Sequence, residues 1–276
     1  MPYKFEPDQM YRMPTHFGPS LGPRQGVDGK RYANDDSPKK TAYSVSFLTQ
    51  AEALDRLLPP RFEIDGEPIV TVTASYISEI EWLAGRGYNT LGVSCSAVFH
   101  GEQGDTHGNY LMVLWENLTD PILTGREELG YPKIYGELPE PRRLNGMIHC
   151  GAGWLGYDFM SMTVSEQDEL DDAELTASAT NQQGVLLYKY MPRTQDWDER
   201  DVEYVTFTPP PDLSPYLKQA WTGKGSVSFR ESTWEDLPTL FNLVNALASL
   251  PVREARGSRT LMTVGGTDYF SQQILA

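Results

Sequence analysis

From Thr41 onward the chain is cut into short runs in which apolar and polar side chains alternate, with glycine, proline and aspartate between them. In the first run Tyr43, Val45 and Phe47 fall on one side and Ser44, Ser46 and Leu48 on the other. A period of two belongs to a pleated strand, whose successive side chains point to opposite faces. Further strand-like runs cover residues 68–80, 93–99, 110–115, 146–150, 154–164, 185–190, 202–207, 225–229 and 259–264. Residues 101–108, rich in turn formers, join two of them into a hairpin. Strands that follow one another in this way predict a mainly β chain of the α+β kind, its pairs mostly antiparallel.

Helices are few. Residues 50–58 place Ala51, Leu54, Leu57 and Leu58 on one side and end at Pro59-Pro60, which cannot continue a helix. Residues 236–247 carry Leu237, Leu240, Phe241, Val244 and Leu247 on one stripe, with Asp236 placed to cap the start. Residues 120–129 read as a third short helix. Pro132 restricts Tyr131 to extended geometry, so Lys133 falls at an element boundary. The acidic stretch 166–174 reads as a solvated loop. Residues 1–40 show no apolar periodicity and read as an extended arm laid over a neighbour. Residues 41–276 are expected to form a single domain.

A formal net charge of −15 argues against nucleic acid and against an anionic membrane surface as partners. No segment approaches the roughly 20 apolar residues of a membrane span, and a cytoplasmic protein is the expectation. Cys95 and Cys150 are expected as buried thiols. His100 and His107 flank Glu102 and Asp105, but their spacing fits no defined metal site. Gly101, Gly104 and Gly108 are turn residues, because no helix follows them to receive a phosphate.

The strongest local signal is Gly125-Arg126-Glu127-Glu128-Leu129-Gly130-Tyr131-Pro132-Lys133, in which a lysine stands among Tyr131, Pro132, Ile134 and Tyr135. Burial disfavours the ammonium form, lowers the lysine pKa and frees an amine to attack a carbonyl. From composition alone a strand-edge lysine remains the competing reading. Gly125-Arg126-Glu127 followed after three residues by Tyr131-Pro132-Lys133 resembles the acetoacetate decarboxylase family. Ala220-Trp221-Thr222-Gly223 and Leu250-Pro251-Val252-Arg253-Glu254 resemble two later landmarks of that family, in the same order.

The resemblance implies an acetoacetate decarboxylase-like antiparallel β-cone or barrel with a few helices, assembled as a homo-oligomer, with Lys133 forming an imine. The departures are specific. Ile134 stands where the decarboxylase has a second lysine, Leu48 is the nearest match to its first-strand arginine, and Thr73 and Thr90 align with its two active-site glutamates. Glu79 and Glu81 lie nearby as substitutes. The resemblance therefore points to a Schiff-base lyase acting on a small keto acid, of the aldolase-dehydratase type, without cofactor or metal. The alternatives are a decarboxylase of acetoacetate or of a larger 3-keto acid, and a non-catalytic small-molecule binding protein. Besides Lys133, the candidate catalytic residues are Glu127 and Tyr269. Arg126, Tyr131, Tyr88, Tyr76 and Trp115 are the candidates for binding substrate, with Trp82 a further aromatic near the site.

Overall fold

The computed structural model describes residues 4–266 and 271–275. Among them fourteen strands form one sheet. In chain order these are β1 (Lys39–Leu48), β2 (Phe62–Ile64), β3 (Ile69–Ile80), β4 (Arg86–Gly101), β5 (Gly104–Glu116), β6 (Lys133–Tyr135) and β7 (Arg142–Leu144). They continue as β8 (Met147–Trp154), β9 (Tyr157–Glu169), β10 (Val185–Arg193), β11 (Asp196–Thr208), β12 (Leu217–Phe229), β13 (Glu254–Val264) and β14 (Gln273–Leu275). The helices are α1 (Ala51–Asp55), α2 (Thr119–Thr124), α3 (Asp172–Thr180) and α4 (Phe241–Ala248).

The spatial order is β14-β11-β10-β5-β4-β3-β1-β13-β12-β9-β8-β7, with β2 beside β4 and β6 beside β5. Pairing is antiparallel except where β10 and β6 meet β5. The sheet closes on itself. Beyond β6, Glu137 and Gly153 exchange backbone hydrogen bonds of 2.7 and 2.9 Å, joining the strand that follows β5 to β8 at the far end of the order. The interior is packed with the apolar members of the alternating runs, among them Tyr43, Val45, Phe47, Val72, Leu91 and Val93. Trp115 of β5 is fully buried there, 5.1 Å from Phe159 and 6.4 Å from Phe229, ring centre to ring centre, although those rings come from the opposite wall. Trp115→Ala is therefore expected to cost about 3–5 kcal/mol of stability, measured as a lower urea midpoint.

Local chemistry shifts several sequence-based boundaries. The acidic stretch is not a loop: β9 runs to Glu169, and Asp171 then caps α3. Asp171 accepts from the Glu174 amide at 2.9 Å while Glu174 accepts from the Asp171 amide at 3.0 Å, a reciprocal pair that starts a helix. Asp236 accepts from the amide and hydroxyl of Thr233 and so closes a turn; α4 begins later, at Phe241. The hairpin linker is only Glu102-Gln103, because β4 extends to Gly101 and β5 starts at Gly104, whose φ of 117° suits glycine. The segment 120–129 divides into α2 and a π-helical turn, Gly125–Leu129. Cys95 and Cys150 are buried free thiols. No helix among the described residues is long and apolar enough to cross a membrane.

Candidate functional site

Strand β5 changes partners along its length. Its Asn109 and Tyr110 run parallel to Val185 and Leu186 of β10, whereas Leu114, Trp115 and Glu116 run parallel to Lys133, Ile134 and Tyr135 of β6. In the chain between β5 and β6 lie α2 and the π turn, which ends at Gly130 with φ 80°. A π turn inserts one extra residue per turn into a helix and is found disproportionately at functional sites. After it the Leu114 amide donates to Pro132 O at 3.0 Å, and Lys133 enters the sheet as the first residue of β6.

Residues paired across a ladder share a face. One row on this sheet reads Ser44, Thr73, Gly92, Leu114, Lys133, and the next reads Ala42, Ser75, Thr90, Glu116, Tyr135. Trp115 and Ile134 take the other face, into the interior. Lys133 and Glu116 thus lie side by side on the outer face, and Nζ of Lys133 is 2.9 Å from Oε1 of Glu116. Nζ also donates to Pro121 O of α2 at 3.1 Å and sits 5.4 Å from the centre of the Tyr131 ring. Glu116 is 1 % exposed and Lys133 9 %.

Burial pushes the Lys133 ammonium below the ordinary lysine value. Glu116 opposes that shift, and the Arg24 guanidinium adds to it. Burial pushes Glu116 upward, opposed by Lys133. Both shifts favour neutral partners, an amine hydrogen-bonded to a carboxylic acid, because a dry site penalises separated charge more than the pair repays. Oε2 of Glu116 has no hydrogen-bond partner among the described residues, as befits an oxygen that carries a proton or awaits one.

The chain leaves no slack around this amine. A Cβ on Gly125 would lie 2.5 Å from both Cδ and Cε of Lys133 and 2.7 Å from Nζ. Gly125→Ala is expected to displace the lysine, reducing adduct formation with a keto acid at least tenfold at an overpacking cost of about 1–3 kcal/mol. Reductive trapping and thermal unfolding of the same preparation check both. The π turn itself is tied from four directions. Lys189 of β10 donates to Glu127 O at 2.7 Å, and Thr206 of β11 and Gln272 donate to Leu129 O at 3.3 and 3.0 Å. Arg12 donates to Glu128 at 3.1 Å and to Thr124, and Arg24 pairs with the other oxygen of Glu128. Arg12 and Arg24, from the N-terminal segment expected to lie over a neighbour, therefore contact the site of their own chain.

The remaining sequence candidates are not all at one place. Tyr131 and Tyr88 share the outer side with Lys133, Tyr88 lying one pair beyond Thr90 on β4. Thr73 and Thr90 are on this face too, Thr90 directly opposite Glu116. Trp115 and Tyr76 face the interior, where the Tyr76 ring lies 6.0 Å from that of Tyr43. Arg126 donates from its guanidinium to Lys133 O at 2.8 Å, which anchors the turn to β6. Glu127 is half-buried and contributes its carbonyl to Lys189. Tyr269 lies outside the described residues. His100 pairs with Asp105 and His107 with Asp65, and no group of three or more metal-type side chains occurs among the described residues. Glu116 and Arg24 were not singled out from the sequence. The available signal for Glu116 was a lone carboxylate closing the apolar run Leu111–Trp115 on the face opposite Trp115.

The mostly antiparallel sheet, with its few short helices, has the acetoacetate decarboxylase-like fold. The acetoacetate decarboxylase structure from Legionella pneumophila superposes with a TM-score of 0.65 at 18 % identity, covering 92 % of this chain and 94 % of that one. The enduracididine biosynthesis enzyme MppR, complexed with pyruvate, gives 0.59 at 16 % identity, covering 91 % and 95 %. Acetoacetate decarboxylase 3 of Mesorhizobium japonicum is 26 % identical over 207 residues, 71 % of this chain and 72 % of its relative. The family model described as acetoacetate decarboxylase matches residues 12–269, and the chain belongs to that family. Enzymes of this family are lyases.

Proposed function

We propose that the protein is a Schiff-base lyase of the aldolase-dehydratase type, a homo-oligomer in keeping with its resemblance, acting on a small keto acid through an imine on Lys133. The observation that carries the reading is the buried Lys133–Glu116 pair. The neutral amine attacks the ketone carbon, and the resulting carbinolamine oxygen takes the Glu116 proton and leaves as water. The products are an iminium and a Glu116 carboxylate.

The same carboxylate then removes a proton from the carbon next to the iminium, giving an enamine that adds to an aldehyde. The aldehyde oxygen takes the proton back from Glu116. Glu116 then removes a second proton from the same carbon, and the enamine expels the hydroxyl, which takes that proton from Glu116 and leaves as water; the dehydrated product remains as a conjugated iminium beside the Glu116 carboxylate. Addition of water to the iminium releases the keto acid and restores amine and acid. A carboxylate beside the imine is what repeated proton transfer needs, whereas loss of carbon dioxide from a 3-keto acid needs no base. With Ile134 in place of the decarboxylase's second lysine and Thr73 and Thr90 in place of its two glutamates, the reading favours aldol chemistry over decarboxylation. A structure of the similar enzyme MppR carries the condensation product of pyruvate and an imidazole aldehyde, which supports the same choice.

The test is intact-protein mass after borohydride treatment with pyruvate and, separately, with acetoacetate. A stable adduct of one pyruvate unit is expected. No adduct with either acid would remove the imine mechanism.

A further inference from the structure

An imine on Lys133 puts a positive charge on a nitrogen that burial pushes toward its neutral form. Only an interaction that is stronger with the charged intermediate than with the resting amine speeds its formation. Glu116 meets the nitrogen from one side, with Oε1 2.9 Å from Nζ. From another side Nζ stands over the ring of Tyr131, 5.4 Å from its centre.

The backbone holds ring and amine in one clip. The Tyr131 amide donates to Gly125 O at 3.0 Å, and the Lys133 amide donates to Tyr131 O at 2.7 Å, closing a three-residue turn around Pro132, whose ring fixes φ. Gly125 in turn lies against the Lys133 side chain, where no Cβ would fit. Tyr131 is half-buried and Lys133 buried, so little water stands between nitrogen and ring to screen one from the other.

The face of an aromatic ring is negative and attracts a cation within about 6 Å of its centre, most strongly where water is excluded. A neutral amine gains little from it. We infer that the face of the Tyr131 ring stabilises the iminium on Lys133, which makes the tyrosine of the Tyr-Pro-Lys run a catalytic residue and not a wall of the substrate pocket. The inference rests on the Schiff-base reading and deepens it. It divides the work at the imine between two groups: Glu116 moves protons and changes its charge as it does so, whereas the field of the ring stays constant through the cycle. The ammonium gains from the ring as well, so in the resting protein the ring opposes the effect of burial, and the sign of its contribution depends on pH.

The experiment varies the charge on the ring face at nearly constant shape. Tyr131→Phe is the reference, and mono-, di- and trifluorinated phenylalanine at the same position withdraw electrons from the face step by step. The readout is the pyruvate concentration for half-maximal trapping at limiting borohydride, followed across pH. Above the pH at which the amine becomes free, each added fluorine should raise that concentration, by about tenfold over the series. The onset of trapping should move to more acidic pH along the same series, because the ammonium loses support too. Below the onset the differences should vanish, since ammonium and iminium are then both cations. A structural loosening would instead admit water and move the onset to more alkaline pH.

One unchanged concentration across the fluorinated series, or an onset that moves to more alkaline pH, overturns the role of the ring while leaving the imine mechanism intact. Loss of trapping in Tyr131→Phe places the contribution of Tyr131 in its hydroxyl and overturns it as well. Absence of trapping in the wild type removes both readings.

Discussion

Lys133→Ala is expected to yield a folded protein that gains no mass on borohydride treatment with pyruvate, at any pH and any substrate concentration. The ketone carbon has one amine to meet, and removing it removes the covalent intermediate. Turnover should fall by at least about a thousandfold, since a residual rate would depend on Glu116 and binding alone. The fold should survive because Glu116, already pushed upward by burial, simply keeps its proton when its partner is lost. Circular dichroism and an unfolding curve close to that of the wild type would establish this. An active, folded Lys133→Ala protein would end the mechanism.

Glu116→Gln separates nucleophile from proton carrier. The amide preserves shape and a hydrogen bond to Nζ but cannot exchange protons through the cycle, so the rate after imine formation should fall by about 10²- to 10⁴-fold. The pH dependence should move in a defined direction. Glu116 raises the Lys133 pKa against the larger effect of burial. Glutamine cannot ionise to hold the ammonium, so that pKa falls further, and the onset of trapping shifts to more acidic pH. Trapping at fixed times across pH 5 to 10, set beside steady-state rates, measures both effects. An unchanged rate in Glu116→Gln would assign proton transfer to another group.

The architecture was largely legible because alternation is a property of each strand separately. The run through Tyr43, Val45 and Phe47 faces the interior as its period requires, and the Gly-Arg-Glu and Tyr-Pro-Lys pair of motifs located Lys133. Glu116 was not legible. Its meaning depends on a parallel register between β5 and β6, seventeen residues apart in the chain, and nothing local fixes a register of that kind. Trp115 illustrates the same limit from the other side: an aromatic one residue from Glu116 was expected to line the site, yet the pleat turns it to the opposite face. Arg24 lay in a segment without periodicity, where sequence reports composition and no direction. The capping pair Asp171 and Glu174 was present in the sequence, but its acidity suggested solvation before its spacing suggested a helix.

The π turn that positions the lysine is completed by residues far from it along the chain. Arg24 is 104 residues from Glu128, Lys189 is 62 from Glu127, and Gln272 is 143 from Leu129. Contacts of such long separation are among the last to pay back their loop-closure entropy during folding. On the proposed mechanism, a chain that has not yet made these contacts would carry Lys133 as an ordinary solvated ammonium, and the amine would become reactive only once the tertiary structure that buries it is complete.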